Sequence, residues 1–300
     1  MVLCEIEASG SFFTTWLTLT LLGFSSQLLM SGSCFYAYYC RPTFRSWQYK
    51  SNPKYPPPTM VRDEIIQMIK GLCSATLCPA ASLYLARHGY SKGYCGLTEE
   101  YGWGYLGVTF LLTWILSDFY EFFYHHLGHR FDSFWEQHKH HHVFYNPSPF
   151  AVIADEYIDQ FARATPLVTL PLLLPINQDM LFAQYVIFFY GYGTYLHLGF
   201  ELPSIPADHW LLNTSYQHYL HHARSLKNKP YHTGFFFKIW DQLFGTMHPK
   251  GVGDSAMCAV RRGERTRELW EKTAKPDYSV LLSPSWWLNP PASHAKTKST

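Results

Sequence analysis

Four apolar stretches punctuate this chain, separated by polar connections. The first, residues 12–39, runs without a charged side chain; a weaker one covers 69–86, and a third covers 105–124. The fourth, 164–200, is a pair of apolar arms around Pro175-Ile176-Asn177-Gln178-Asp179. Each arm approaches the ~20 residues that a spanning helix needs, and the centre has turn chemistry. This pattern predicts a helical hairpin. The competing reading, a buried hairpin in the core of a soluble protein, suits it less well, because the arms offer little polar face. The expectation is an all-α polytopic membrane protein with about four transmembrane helices, the hairpin included, and a cytosolic helical cap.

Flanking charge orients these elements. Residues 1–10 carry Glu5 and Glu7 and no Lys or Arg, unlike the basic start of a cleaved signal peptide, so an uncleaved anchor is expected. Arg41, Arg45, Lys50, Lys54, Arg62 and Lys70 follow, which places that connection in the cytosol. Its segment 53–58, with three consecutive prolines, reads as extended chain that cannot be helix. Glu99 and Glu100 meet little positive charge, as in a lumenal loop. Two further crossings in the hairpin return the chain to the side it left. The sequon Asn213-Thr214-Ser215 is therefore expected to stay unmodified in the cytosol. Lys296-Thr297-Lys298-Ser299-Thr300 is similar to a dilysine retrieval signal, which implies the endoplasmic reticulum membrane.

Composition narrows the function classes. Charged residues make up 15% against about 25% in an average soluble domain. The mean hydropathy of −0.13 hides the apolar segments, because 22 Tyr, 10 Trp and 16 His depress it. A net charge of +2 without a basic stripe argues against nucleic acid as a partner. The seven cysteines show no Cys-x2-Cys pair and no disulfide-framework spacing, so most are expected to be small packing residues. Dinucleotide, P-loop and nucleophile-elbow motifs are all missing.

The chemistry lies in the histidines. His125-x3-His129, His138-x2-His141-His142 and His218-x2-His221-His222 each repeat at i, i+3 or i+4, so each cluster aims its rings at one point of a helical face. Imidazole is a good ligand for iron, zinc and copper. Eight convergent rings exceed the four ligands of a structural zinc site, which points to two metals. Asp118 and Glu121 share the helical face of His125 and His129. A carboxylate there can hold the distal nitrogen of a ligand; that role is expected of Asp118 and, less firmly, of Glu121. The alternative is an interfacial acid paired with Arg130. His197, at the end of the second hairpin arm, either reaches the metals from the membrane side or is a satisfied interfacial histidine. His126 and His140 lie off the main faces, and His88, His209, His248 and His294 stand alone.

These boxes, in this order around membrane segments, resemble the fatty acid hydroxylase/sterol desaturase superfamily over roughly residues 48–249. Asn146-Pro147-Ser148-Pro149-Phe150-Ala151, His197-Leu198-Gly199 and Trp240-Asp241-Gln242-Leu243-Phe244-Gly245-Thr246 are similar to further signatures of that family. Together with Arg87-His88-Gly89-Tyr90-Ser91-Lys92 they are closest to C-5 sterol desaturases (lathosterol oxidases). Where those enzymes usually carry two histidines after Pro-Phe-Ala, this chain has Ile153 and Glu156 within the acidic run Asp155–Asp159. His232 stands where the family more often has Asn; it either adds a ligand or is a surface histidine.

The resemblance implies a membrane-bound di-iron lipid oxidase using dioxygen, most nearly a sterol desaturase. Two irons suit the imidazole-rich set. No His-Pro-Gly-Gly haem motif is present, so electrons are expected from a separate protein, cytochrome b5 or its reductase with NAD(P)H. The alternatives are a lipid hydroxylase (sterol 4-methyl oxidase or fatty acyl/sphingoid hydroxylase) and a catalytically inactive metal-binding membrane protein. The domain layout expected is membrane anchor and connection over 1–103, catalytic region over 104–250, and a cytosolic tail over 251–300.

Overall fold

The computed structural model describes residues 3, 5, 6, 10–289 and 291. Among these it is helical, with only isolated bridge pairs in extended form. Helix α1 (Phe12–Phe35) begins where Ser11 accepts a hydrogen bond from the Thr14 N–H, which satisfies an otherwise orphaned donor. It carries apolar residues on every side, and Leu21, Leu22 and Leu29 face outward, as lipid contact requires. α2 (Pro58–Ala75) and α3 (Leu77–Arg87) form a second rod. Pro58, expected in extended chain, is instead the first helical residue; its missing N–H costs nothing at that position.

α4 (Trp103–Arg130) has 28 residues, a length of about 42 Å. That exceeds a hydrocarbon core of about 30 Å, so its last turns, with His125 and His129, project beyond the bilayer. α5 (Asp132–His138) follows at once. By length and composition, three described helices suit a membrane crossing: Phe12–Cys40, Pro58–Arg87 and Trp103–Arg130.

The hairpin is present, but its arms are jointed. α6 (Tyr157–Ala164) and α7 (Pro166–Leu173) lead out. α8 (Gln178–Ala183), a stretch of wider π-turns over Gln184–Tyr190, and α9 (Gly191–Leu196) lead back. The outgoing arm is broken at Thr165-Pro166, whereas the return arm is helical throughout residues 178–196, widened in its middle by the π-turns. The tip is held against the α3–α4 loop. Tyr94 N donates to Ile176 O (3.0 Å), Gln178 N to Tyr94 O (2.9 Å), and Asn177 Nδ2 to Gly96 O (2.7 Å). Tyr105, at the start of α4, donates its hydroxyl to Pro175 O (2.8 Å). Both arms therefore run alongside α4, and the chain returns to the end where α4 carries its histidines. Cys95, in the α3–α4 loop, is disulfide-bonded, a departure from the packing role expected of the cysteines. Cys34, Cys40, Cys73, Cys78 and Cys258 are free thiols.

At the histidine end, a cluster around Phe35, Tyr39, Trp47, Phe150 and Phe200 packs the 41–57 connection under the site. Later residues fold onto it. The rings of Trp270 and Trp47 lie 5.6 Å apart, and Tyr278 donates its hydroxyl to Pro56 O (2.7 Å). The dilysine-like Lys296–Thr300 falls outside the described residues.

α2 approaches the 149–156 segment closely because residue 71 has no side chain. A Cβ on Gly71 would sit 2.5 Å from Ile153 O, whereas one on Gly32 meets nothing within 4 Å. Gly71→Ala should therefore force a backbone shift and lower stability by about 1–3 kcal/mol, read as a lower Tm in detergent. Gly32→Ala, the control, should leave Tm unchanged or slightly raised.

Candidate metal centre

Nine histidines from five segments converge in two buried groups. His125, His129, His138, His142 and His221 form one; His141, His197, His218 and His222 form the other. α4 supplies His125 and His129 one helical turn apart, and α5 ends on His138. A short 3-10 turn (His141–Val143) splits the adjacent His141 and His142 between the groups. Thr214 and Gln217 close a capping box on α10 (Ser215–Arg224), which carries the last box. Within the first group, His142 Nε2 lies 3.1 Å from the Nε2 atoms of both His129 and His138. Within the second, His197 Nε2 lies 2.9 Å from that of His218, 3.2 Å from that of His222 and 3.4 Å from that of His141.

The outer nitrogens explain why the inner ones meet. Nδ1 faces an acceptor in six rings: Thr233 O for His125 (2.9 Å), Leu226 O for His129 (3.3 Å), Asp159 Oδ2 for His138 (3.1 Å), Ala154 O for His141 (3.4 Å), Gly193 O for His197 (2.8 Å) and Tyr231 O for His221 (2.7 Å). A ring that donates from Nδ1 keeps a bare lone pair on Nε2. His125 Nε2 and His221 Nε2 are buried with no hydrogen-bond partner, a costly state for a polar atom. In the pair His141–His197, two such lone pairs face each other. A cation resolves both problems. Burial, and then the neighbouring imidazoles, hold His141, His142, His218, His221 and His222 well below the ordinary histidine pKa, so the rings are in the neutral form that binds metal. The all-imidazole donor set fits first-row transition metals and not magnesium or calcium.

Other expected residues are placed differently. Asp118 touches none of the histidines. Its carboxylate accepts from Phe236 N (2.7 Å), Phe237 N (3.3 Å) and Trp240 Nε1 (2.7 Å), fixing the loop that carries Thr233. Sharing a face with His125 does not bring Asp118 to an imidazole, because the loop that covers this face takes its carboxylate. Glu121 pairs with Arg163, whose Nε lies 3.6 Å from Asp159 Oδ2. His232 stands outside both groups, its Nε2 accepting from His248 N (3.3 Å). Its φ of 49° is the left-handed region where Asn is at home, so the position is governed by a turn. His126 accepts from Arg130, and His140 is 3.9 Å from Glu156; neither joins a group.

The acids that do support the ligands are Asp159, on His138, and Asp155, whose Oδ1 is 3.2 Å from His141 Nδ1. Burial, and then Asp159, raise the Asp155 pKa well above the ordinary carboxylate value. Asp159 and Arg163 share a face of α6, whereas Asp155 lies in the bend before it; which groups they meet was not legible. The terminal signature is structural. Asp241 accepts from Thr233 N (2.8 Å) and Gly234 N (3.0 Å), and so positions the carbonyl on which His125 depends. In His197-Leu198-Gly199, a Cβ at Gly199 would meet Tyr39 Oη at 2.6 Å. A pocket beside the two groups is lined by His125, His141, His197 and His218, by Tyr185, Phe189 and Phe235, and by the charged Glu121, Asp155 and Arg163, so its wall is mixed.

Comparison with known proteins agrees with this geometry. Residues 110–246 match the family model described as fatty acid hydroxylase. The chain is 29% identical over 186 residues to a Delta(7)-sterol 5(6)-desaturase of Gibberella zeae, covering 62% of this chain and 51% of the relative. It is 28% identical over 193 residues to the lathosterol oxidase of Mus musculus, covering 63% and 62%. It is 26% identical over 249 residues to a putative Delta(7)-sterol-C5(6)-desaturase 2 of Arabidopsis thaliana, covering 80% and 83%. Against the first of these, the match spans about half of the relative's length. No solved structure matches the chain.

Two substitutions separate supporting residues from turn residues. Asp159→Asn should weaken metal binding by about 10–100-fold, as loss of a carboxylate behind a ligating histidine does, measured by competition with a chelator. His232→Asn should keep the full metal content and raise Tm slightly by relieving the left-handed strain.

Proposed function

We propose that this chain, which belongs to the fatty acid hydroxylase superfamily, is a membrane-bound di-iron oxidase that desaturates a sterol ring, of the C-5 sterol desaturase type. The observation that carries this reading is the buried convergence of nine imidazoles in groups of five and four. His125, His129, His138, His142 and His221 would hold one iron, and His141, His197, His218 and His222 the other. The pair would supply the oxidising power to remove hydrogen from an unactivated C–H bond with dioxygen, which acid–base side chains cannot do.

The protein's own part is positional. The carbonyls of Thr233, Leu226, Gly193 and Tyr231 hold the rings, and Asp159 steadies His138. Tyr185, Phe189 and Phe235 give the pocket its apolar part, against which the substrate's carbon skeleton would rest. The relatives' names support a sterol as substrate. Electrons would come from a separate donor, cytochrome b5 or its reductase with NAD(P)H. We place the anchor helices and connection over 1–103, the catalytic region over 104–250 and a cytosolic segment over 251–300.

The membrane placement follows from two ends of the fold. The hairpin tip and the disulfide-bonded Cys95 lie at the end away from the histidines. Disulfides persist in oxidising compartments, so that end would be lumenal and the metal centre cytosolic, in the endoplasmic reticulum membrane. Asn213 is buried, its amide donating to Asp241 (3.3 Å). Protein made in a eukaryotic host should therefore show no mobility change on glycosidase treatment.

Purified protein should contain two irons per chain by elemental analysis and colour. Expression in a host lacking C-5 sterol desaturase should yield a sterol with a new ring double bond, whereas a new hydroxyl would favour the hydroxylase reading. His138→Ala and His221→Ala should each lose metal and turnover together. Retained turnover in either would overturn the assigned ligands.

A further inference from the structure

A second cavity lies within the membrane-spanning part, on the far side of the return arm from the metals. It has a volume of about 440 Å³ and is lined by α1 (Leu19, Gly23, Ser26), by α2 (Leu72, Ala75), by α3 (Pro79) and by the 179–190 stretch. Its wall is almost wholly apolar, mixing the rings of Phe182, Tyr185 and Tyr190 with aliphatic side chains and the small residues Gly23 and Ala75.

This cavity and the pocket at the metal groups share two lining residues, Tyr185 and Tyr190. Both belong to the Gln184–Tyr190 π-turns. Such turns insert an extra residue per turn and are frequent at functional sites. Here they let two rings of one helix face both chambers. The Tyr185 phenol lies against Ser117 of α4, and that of Tyr190 against Gln160 of α6. These two rings, each beside a neighbouring helix, are the lining that the two chambers share.

We propose that the cavity binds the rigid fused-ring body of a sterol taken laterally from the bilayer, and that Tyr185 and Tyr190 form the gate through which its reacting edge meets the metal centre. The substrate class rests on the reading under Proposed function; the route rests on the shared wall. An apolar chamber of this volume, sharing aromatic rings with the metal pocket, suits a stiff lipid that loses little conformational freedom on entry.

The full-length, iron-loaded protein in lipid nanodiscs can be irradiated with an alkyne-tagged diazirine sterol and its adducts mapped by mass spectrometry. Adducts are expected on residues 19–26, 72–79 or 179–190. Two plugs fill the chamber without touching the metal groups. Gly23→Phe projects into it, since a Cβ there meets only Leu72 at 3.4 Å, and Ala183→Trp starts from an exposed lining position. Each should cut sterol labelling about tenfold, equivalent to about 1.4 kcal/mol, with two irons per chain and Tm retained.

Wild-type adducts confined elsewhere, labelling unaffected by both plugs, or stronger labelling by a diazirine fatty acid than by the sterol would overturn the proposal. Labelling requires no turnover, so the two readings fail separately. Adducts in the cavity without any oxidised sterol in the C-5-deficient host would sink the activity and leave the binding site standing. Unimpaired sterol oxidation by both plugged variants would do the reverse.

Discussion

Six of the nine rings in the two groups present a lone pair inward by resting the proton of the other nitrogen on an acceptor outside the centre. This constraint organises the protein. Six Nδ1 atoms face buried acceptors drawn from the 226–233 loop, the return arm, the 154 turn and α6. Each acceptor must itself be held in place, so the demand spreads outward. Thr233 is fixed by Asp241, the neighbouring Phe236 and Phe237 by Asp118, and Asp241 by the turn ending at Gly245 (φ 70°). Much of the sequence between 226 and 246 serves the orientation of the His125 and His221 rings. A neutral ring in the other tautomer would point a proton at its neighbours and close the site to a cation.

The membrane sets where this centre can be built. α4 is longer than the hydrocarbon core, so its terminal histidines clear the lipid. The hairpin, pinned at its tip to the α3–α4 loop, brings His197 back to the same height. Jointed arms are tolerated in an apolar setting only where the freed backbone groups find partners. The connections here are tight. Thr165 N bonds Ala162 O (3.1 Å), Lys92 N bonds Pro171 O (2.9 Å), and Gln184 of the π-turn stretch accepts from Thr113 Oγ1 (2.8 Å). The π-turns thus combine two functions: they rotate His197 toward the metals and place tyrosines on both faces of the arm.

Legibility in the sequence followed the range of the interaction. The His spacing is local to one or two helical turns, so the boxes were legible; that His141 parts from His138 and His142, and His221 from His218 and His222, was not, because each of these two boxes feeds both groups and not one point. The hairpin was readable because turn residues sit between apolar runs, but the joints were not, since an inserted π-turn leaves no compositional mark. Asp118 shared a face with His125 and still met Phe236, Phe237 and Trp240, because spacing says which residues share a face and not which loop covers it. Asp155 and Asp159 were visible as an acidic run whose purpose depends on α6 docking beside α5, a contact between segments about twenty residues apart. Cys95 gave no sign of its disulfide, because pairing depends on proximity in space and not on spacing.

The departures from the family pattern at Ile153 and Glu156 take on a different meaning once placed. Ile153 is fully buried, and its carbonyl meets the close approach of Gly71. Glu156 precedes α6 and lies near the exposed His140. Neither position faces the two groups, which between them already hold nine imidazoles. Histidines at these positions would have no inward lone pair to contribute here, so their replacement does not deplete the donor set. Glu156 instead adjoins Asp155, whose pKa is raised by burial first, then by Asp159 and by Glu156 itself. A carboxylate that holds an Nδ1 proton raises the basicity of the ligating nitrogen, and in this run it is Asp159, on His138, that is placed to do so.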